Sequence, residues 1–406
     1  MSTFIKIAWR NITRNRARSA ITISAVAFGL TALIFIRAFV DGADYQMVEN
    51  FTDLISGHVQ IHRSGFHKKM GLERSLTDSR DLQKIVEQTP GVAAAARRIK
   101  EHVLISSAEN SAGILLMGID PDDEKRVTTL HEKIRKGEFL KTDKDIVLGK
   151  DLVDNLNARL GDKIVMMGQG ADGSLAAAAF RLVGVMDTGA EEADQALGVV
   201  TLSAAAKLFV LEDKVSEIVI RADSLYNVKE VVGRLKKEFS RRNFEVLPWN
   251  EISPVVAQWV QFDRTFLNVI LVIVLMVVAG GIMNTILMGV MERTREFGIM
   301  LALGTKRRQV LGLVTLEAFF LGLIGSVIGL VLGAGLAMHF HAVGIDLAGF
   351  SQSFEAFYIG SVIYPRIFWG QTIVTIFVVL VISTVTAIYP AVRAAGLKPV
   401  EAIRQF

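Results

Sequence analysis

The segment Met291-Glu-Arg-Thr-Arg-Glu-Phe-Gly-Ile-Met-Leu-Ala-Leu-Gly-Thr-Lys-Arg-Arg308 separates two long apolar runs, 265–291 and 310–337. Its ends are charged and its centre, Ile299–Leu303, is apolar. Gly304 suits the end of a short helix. An apolar helix between two such runs needs a surface that covers it, either the membrane or a groove on a partner. The stretch therefore predicts a membrane protein with a docking helix in the loop 292–309.

Two further apolar runs, 20–40 and 368–389, bring the number of predicted membrane spans to four. Each run is long enough to cross roughly 30 Å of hydrocarbon at about 1.5 Å per residue. The first is too long for the apolar part of a signal peptide, and no small-residue cleavage site follows it, so we interpret it as an uncleaved anchor. One span precedes the long segment 41–264, and three follow it.

The distribution of basic residues predicts the orientation. Basic residues dominate the N-terminal segment 1–19, the loop 292–309 and the tail 390–406, whereas the loop 338–367 has a single arginine against two acidic residues. The positive-inside rule places the first three in the cytoplasm. The segment 41–264 and the loop 338–367 then lie outside.

The N-terminal segment has the pattern of an amphipathic helix. One face carries apolar side chains, and basic residues surround it: the apolar residues are Phe4, Ile5, Ala8, Trp9 and Ile12. This pattern predicts a helix in the inner headgroup region, and a plain basic flank is the alternative.

The long outer segment alternates strand and helix signals. Helices are predicted at 79–88 and 225–239, and the predicted strands are 57–62, 112–119, 145–148, 163–167, 180–186, 217–221 and 244–247. We expect an α+β domain in two lobes, because strand-rich sequence is bracketed by helix-containing flanks. Residues 39–54 and 254–266 lack turn signals and are predicted to extend the bordering spans as stalk helices. The predicted fold is a membrane α-helical protein, in a 1+3 arrangement, with a large α+β domain inserted after the first helix.

Composition excludes several kinds of site. The 406 residues are 51% hydrophobic, carry a net charge of +4 and include no cysteine. Disulfides, thiolate metal sites and a cysteine nucleophile are therefore excluded. The small net charge requires no nucleic-acid partner. No Gly-x-x-x-x-Gly-Lys-Ser/Thr motif occurs, so the usual phosphate-binding loop of an ATPase is absent, and we find no catalytic triad or carboxylate pair.

Two motifs in the outer segment have alternative interpretations. The glycine-rich stretch Gly168–Gly173 is interpreted as a hairpin loop in preference to a phosphate site. His58 and His62 fall on one face of a predicted strand, where a metal pair is conceivable. An ordinary surface pair is favoured because no third ligand is evident, and no metal site is predicted.

The third span carries small residues and one acidic residue. Gly325, Gly329 and Gly333 recur at four-residue spacing, which predicts a tight seam with another helix, within one subunit or between two. Mere tolerance of glycine is the alternative. Glu317 falls deep enough to be costly if unpaired, so we expect hydrogen bonds to neighbouring spans, with a transported-proton site as the alternative.

Several of these motifs together resemble the FtsX-like permease module of ABC transporters. They are Glu292–Gly298 with Leu301–Gly304 and the following basic pair, Glu317-Ala with its glycine-rich helix, the start Ala8–Arg16 and the ending Tyr389–Arg404. In the outer segment, Val147-Leu-Gly, Leu160–Val165 and Val183–Gly189 are similar to the MacB/LolC-type periplasmic core. The resemblance covers nearly the whole chain.

The resemblance implies an assembly in the bacterial inner membrane. Two permeases, either two copies or a copy and a paralogue, would bind two copies of a separate cytoplasmic ATPase, which would hold ATP and Mg while this chain binds no cofactor. The outer domains would then move with the ATP cycle, a mechanism called mechanotransmission. The residues implied to contact the ATPase are Glu292, Arg293, Arg295, Glu296, Gly298, Ile299, Leu301, Ala302, Leu303 and Gly304.

Within this family, the length of the chain is most similar to that of the lipoprotein-releasing LolC/LolE permeases. This similarity implies extraction of lipoproteins or another lipidated substrate from the membrane, with a periplasmic chaperone or adaptor as receiver. The segment 168–179, where LolC has its chaperone-gripping hook, is short and Ala/Gly-rich here, so chaperone docking is left open. The alternatives are MacB-like efflux with an adaptor and FtsX-like signalling to a periplasmic enzyme. Apolar surface for an acyl chain is predicted at Phe35, Phe39, Phe262 and Phe266.

Overall fold

A computed structural model describes residues 2–347, 349, 358 and 361–398. The predicted tail therefore lies outside the described residues from 399 onward, as does much of the predicted loop 338–367. The chain divides into two compact units. The membrane unit comprises Met1–Asp44, Val260–Asp346 and Val362–Phe406, and the outer unit comprises Tyr45–Trp259 and Leu347–Ser361.

The helices of the described chain are, in order, α1 (Ser2–Arg14), α2 (Arg16–Phe51), α3 (Ser79–Glu87), α4 (Pro121–Val127), α5 (Lys150–Asn155), α6 (Glu191–Ala196), α7 (Leu202–Leu208), α8 (Val228–Glu238), α9 (Trp249–Ile252), α10 (Pro254–Glu292), α11 (Thr294–Ala302), α12 (Arg307–Val343), α13 (Trp369–Thr386) and α14 (Ile388–Ala395). A π-helical turn, Thr52–Ser56, follows α2.

The strands are β1 (Val59–Arg63), β2 (Val92–Ser106), β3 (Ser111–Ile119), β4 (Ile134–Gly137), β5 (Asp145–Gly149), β6 (Lys163–Gln169), β7 (Leu175–Met186), β8 (Leu197–Thr201), β9 (Glu217–Ala222), β10 (Phe244–Pro248), β11 (Ile345–Asp346) and β12 (Val362–Ile363). The first ten strands form one sheet, and the last two pair with each other.

Among the described residues, four helical segments are long and apolar enough to cross a membrane: α2, α10, α12 and α13 with α14. The predicted spans fall within or at the ends of these helices. At 36 and 39 residues, α2 and α10 would measure about 54 and 58 Å, well beyond the hydrocarbon thickness. The stalk residues 39–54 and 254–266 therefore continue the spans as helix, apart from the π-helical turn after Phe51.

Small residues let α12 approach α2 closely. A Cβ added at Gly325 would lie 2.7 Å from the Cβ of Val26, and one added at Gly329 would lie 2.8 Å from the carbonyl oxygen of Ala27. Gly333 faces Ile34 in the same way, at 3.0 Å. The glycine face of α12 thus packs on the first membrane-crossing helix of the same chain.

The outer unit is built on a sheet with the order β10-β1-β9-β2-β3-β8-β5-β7-β4. Strand β6 pairs with both β2 and β7, so β2, β3, β8, β5, β7 and β6 form a closed ring of paired strands. The pairs β3–β8 and β5–β7 are parallel, and the other pairs are antiparallel. The two lobes expected from the sequence are wrong, because one sheet runs through a single compact unit.

A fully buried charge cluster crosses this sheet. Arg98 Nε donates to Glu124 at 3.0 Å, and its Nη1 lies 3.5 Å from Glu217. Lys100 Nζ lies 2.8 Å from Glu217, and His62 Nε2 lies 3.2 Å from it. Burial alone raises the pKa of Glu217, but the charges of Lys100 and Arg98 and the contact with His62 outweigh burial and lower the pKa below its ordinary value. Glu217 is therefore ionised, with Lys100 and Arg98 as its charged partners and His62 as a further polar contact.

Candidate functional site

The predicted docking helix forms as α11, and its apolar side chains divide between two environments. Phe297 is completely buried, and Met300 and Leu301 are half-buried against the core of the membrane unit. Ile299 and Leu303 are 43% and 82% exposed. The expectation that the whole apolar centre is left uncovered by its own chain is therefore wrong. The exposed apolar surface is narrower and is centred on Ile299 and Leu303.

Phe297 anchors α11 to the rest of the membrane unit. Its ring belongs to the same core cluster as Ala391 and Ala394 of α14. The guanidinium carbon of Arg293 lies 5.0 Å from the ring centroid, a cation–π distance. Helix α14 is one of the elements of this chain that contact α11.

Basic residues border the exposed part of α11. Arg295 is exposed on the helix, and Gly304 has a φ of +92°, which glycine adopts without strain, and ends the segment. An exposed basic run then leads into the first turn of α12: Lys306, Arg307 and Arg308. The outward surface of 292–309 therefore combines two apolar side chains with a basic border.

Glu317 lies at the centre of a polar junction on the inner side of α11. The Nη1 atom of Arg293 lies 3.0 Å from one carboxylate oxygen of Glu317 and 3.2 Å from the other. Asn11 Nδ2 donates to the first oxygen at 2.5 Å. The partners of Glu317 thus come from the start of the docking segment and from α1, and not from neighbouring spans as the sequence predicted. A carboxylate with a guanidinium partner has its charge compensated within the protein.

Further ion pairs surround this contact. Arg14 of α1 lies 2.9 Å from Glu296, and Arg293 Nε donates to Glu296 at 3.1 Å. Arg18, at the start of α2, pairs with Glu292. A cavity of about 210 Å³ is bordered by Arg14, Arg18, Glu292 and Arg293, together with Asn11 and Glu317. We call Asn11, Arg14, Arg18, Glu292, Arg293, Glu296 and Glu317 the junction.

The predicted amphipathic helix forms as α1, and its apolar face divides between two environments. Ala8 and Ile12 are buried in the core of the membrane unit, whereas Ile5 and Trp9 are 43% and 51% exposed. Trp9 contacts Phe320 of α12 edge to face, with ring centroids 6.1 Å apart. Sequence reasoning missed Asn11 as a junction residue. The available signal was its position three residues after Ala8, on the face that the apolar pattern already marked as buried.

The four phenylalanines proposed for lipid contact all belong to the membrane unit. Phe262 and Phe266 on α10 are 59% and 53% exposed. On α2, Phe35 and Phe39 are half-buried, and the ring of Phe35 packs on Phe340 at 5.6 Å. The exposed aromatic surface is therefore on α10, whereas the α2 residues serve partly as packing.

In the outer unit, the histidine pair is not on the surface. His58 and His62 are 5% and 1% exposed. The amide of Ala222 donates to His58 Nδ1 at 3.0 Å, and His62 contacts Glu217. Across the described residues, no group of three or more metal-binding side chains is assembled. The glycine-rich stretch near 168–173 joins β6 and β7 as the predicted hairpin.

Comparison with known proteins gives two family matches. Residues 268–399 match the FtsX-like permease C-terminal family. Residues 19–238 match the MacB-like periplasmic core domain.

Individual relatives cover most of the chain. It is 25% identical to the lipoprotein-releasing system transmembrane protein LolC of Neisseria meningitidis, over 95% of this chain and 93% of that protein. It is 26% identical to the macrolide export ATP-binding/permease protein MacB of Nitrobacter winogradskyi, over 98% of this chain and 59% of that protein. The periplasmic region of MacB from Actinobacillus actinomycetemcomitans is a structural neighbour, with 14% identity, a TM-score of 0.35, and coverage of 50% of this chain and 93% of that one.

The two family matches coincide with the membrane helices and the outer sheet of the structure. The first covers α11, α12 and α13, and the second begins in α2 and continues through the outer sheet. Four apolar helical segments and a large α/β domain after the first of them complete the agreement. The chain therefore belongs to the ABC transporter permeases that combine an FtsX-like membrane domain with a MacB-like periplasmic core domain, a multi-pass membrane protein whose family implies a partner ATPase subunit.

Proposed function

We propose that this chain is a permease subunit in which α11 docks on a separate cytoplasmic ATPase and transmits its movement to the periplasmic domain. The supporting observation is the division of this segment into a buried anchor, Phe297 in α11, and an exposed apolar tip, Leu303 directly after α11, 82% exposed. The helix is held from behind by Phe297, Met300 and Leu301, and it presents Ile299 and Leu303 to a partner. Ile299 and Leu303 would enter an apolar groove, and the basic residues around them would meet an acidic rim.

The route from this surface to the outer domain follows contacts within the membrane unit. Arg293 connects the start of α11 to Glu317 on α12. Helix α12 packs against α2 through its glycine face, with Gly329 against Ala27. Helix α2 then runs without a break to Phe51. Displacement of α11 would thus be passed to α12, to α2 and along α2 to the periplasmic domain.

The proposed assembly contains two permeases, either two copies or a copy and a paralogue, and two copies of the ATPase in the inner membrane of a bacterium. The ATPase would bind ATP and Mg and supply hydrolysis, and this chain would bind no cofactor. Periplasmic transmission by helix movement needs no aqueous channel through the permease.

We propose lipoproteins, or another lipidated molecule, as the substrate. The LolC relative, matched over 93% of its length, supports this choice, and the exposed Phe262 and Phe266 offer apolar surface for an acyl chain. A periplasmic chaperone or adaptor would receive the substrate. Efflux in the manner of MacB is the second candidate. It is favoured by the MacB relative, whose sequence identity to this chain is similar to that of the LolC relative and of which the match covers 59%.

Docking is tested by pull-down of the ATPase with tagged full-length permease, identified by mass spectrometry. Leu303→Asp should reduce the retained ATPase at least tenfold, because Leu303 would be buried in the docked complex and a charge there disfavours docking. Leu175→Asp is the matched control, since Leu175 is 80% exposed in the periplasmic domain, and it should retain the ATPase within twofold of wild type. Leu301→Asp is less informative, since Leu301 also packs on its own core. Full retention by Leu303→Asp would show that α11 is not the docking element.

A further inference from the structure

Within the junction, Glu317 connects α12 to α1, which is far away in sequence, and to the start of α11. Asn11 and Glu317 are separated by 306 positions, yet their side chains are in contact. Arg293, between α10 and α11, reaches the same carboxylate. Glu317 is 9% exposed. One largely buried carboxylate therefore joins α1, the start of α11 and α12.

Arg293 completes the connection because it has three partners. It binds Glu317 through Nη1, Glu296 through Nε, and stacks over Phe297. Glu296 in turn pairs with Arg14 of α1. The Nη1 atom of Arg293 thus binds α12, and its Nε atom binds α11. Rotation of α11 about Phe297 would therefore break one of these two charged hydrogen bonds.

From this geometry we infer that Glu317 is a positioning residue, which makes α1, α11 and the first turns of α12 move as one rigid body. This inference rests on the proposed function, since the docked ATPase is what would displace α11. Without the Glu317 carboxylate, α11 keeps the apolar contacts of Phe297, Met300 and Leu301 and the exposed pair between Glu296 and Arg14, which contributes little. These contacts allow α11 to pivot on the core. The ATPase would still bind the exposed apolar tip, but its movement would no longer reach α1 and α12.

The test measures whether α1 and α11 keep a fixed separation. The chain has no cysteine, so spin labels at Arg10→Cys and Ala302→Cys are unique and lie on exposed positions of the two helices. The full chain is placed in lipid nanodiscs, and the distance distribution between the labels is recorded. Wild type should give one narrow distribution, and Glu317→Gln should broaden it at least twofold.

A charge exchange separates positioning from simple destabilisation. The triple variant Glu317→Arg, Arg293→Glu and Glu296→Gln restores the ion pair in reverse without placing two carboxylates side by side, and the adjoining cavity gives the exchanged side chains room. Asn11 can accept from the new arginine through its amide oxygen. This variant should recover the narrow distribution. Glu292→Gln is the matched control, because Glu292 is exposed in the same junction, and it should leave the width unchanged.

The second measurement adds the ATPase that co-purifies with wild type. With an ATP analogue in place of ADP, the label separation should stay constant in wild type and shift in Glu317→Gln, while both retain equal amounts of ATPase. An unchanged narrow distribution in Glu317→Gln, or failure of the charge exchange to restore it, would overturn the inference. Full retention of the ATPase by Leu303→Asp would instead contradict the proposed docking, and the label widths without ATPase would still decide the role of Glu317.

Discussion

Gly329 and Ala27 bring α12 and α2 into backbone contact. A Cβ at position 329 would lie 2.8 Å from the carbonyl oxygen of Ala27 and 2.9 Å from the Cβ of Leu30. The carbonyl oxygen belongs to the helix backbone and cannot turn aside as a side chain can. The spacing of these two helices therefore depends on the absence of a side chain at one position.

Gly329→Ala should weaken the packing of the membrane unit by about 1–3 kcal/mol, because the helices must separate to admit the methyl group. Gly335→Ala on the same helix is the control, since nothing lies within 4 Å of the added Cβ and alanine favours helix. Unfolding of the full chain in mixed micelles by increasing SDS compares the two. Equal midpoints for both variants would mean that α12 does not pack on α2 through Gly329.

The exposure of the aromatic residues predicts where a lipidated substrate enters. A photo-crosslinking amino acid at Phe266, 53% exposed, should capture a lipid-modified protein in cells. The same amino acid at Phe35 should capture little, because that ring packs on Phe340. Crosslinked products are identified by mass spectrometry. Capture from Thr305 on the docking loop, and none from Phe266, would contradict lateral entry on α10.

The spans and several strands could be predicted from sequence because their signals are local. The apolar runs, the hairpin at 168–173 and the consecutive β-branched residues Ile218–Ile220 of β9 need no tertiary information. Strand β2 was missed, because Val92–Ser106 opens with alanines and includes charged residues, and neither favours a strand. In the folded chain, Glu124 and Glu217 compensate the charge of Arg98, which is why this arginine can be buried within β2.

The docking segment could be located from sequence, but its contacts could not. Phe297 is buried in a core cluster that includes residues of α2, α12 and α14, and the partner of Glu317 on α1 is 306 positions away. A hydrophobic pattern reports which face of a helix is apolar, and not what covers it. For that reason the sequence overestimated the exposed part of α11.

The ion pair between Arg98 and Glu124 should be important for the stability of the outer unit. Glu124→Gln leaves a buried guanidinium with less compensation and should lower the free energy of unfolding by about 3 kcal/mol. Glu138→Gln removes a pair with Lys141 in which both side chains are about two-thirds exposed, and should change it by less than about 1 kcal/mol. Urea unfolding of the full chain, followed by Trp249 fluorescence with the other tryptophans replaced by phenylalanine, measures both. Equal effects of the two substitutions would show that the buried pair contributes no more to the free energy of unfolding than the exposed pair.

His58 predicts how the outer unit responds to acid. Burial, with a smaller contribution from the charge of Arg221, lowers the pKa of His58 from 6.5 to about 4. Between these values the unfolded chain binds a proton at this position and the folded chain does not, so unfolding is favoured as the pH falls. The contribution is zero above pH 6.5 and reaches about 3 kcal/mol of lost stability near pH 4.

His58→Asn should remove this part of the pH dependence, because asparagine can accept the Ala222 amide through its side-chain oxygen but does not titrate. Urea midpoints of the full chain at pH 7.0, 6.0, 5.0 and 4.0, read from the same Trp249 fluorescence, test this. The wild-type midpoint should fall more steeply than the variant's between pH 6.5 and 4, with parallel behaviour above pH 6.5. Parallel curves throughout would mean that His58 takes up its proton in the folded unit as readily as in the unfolded chain, contrary to its buried position between β1 and β9.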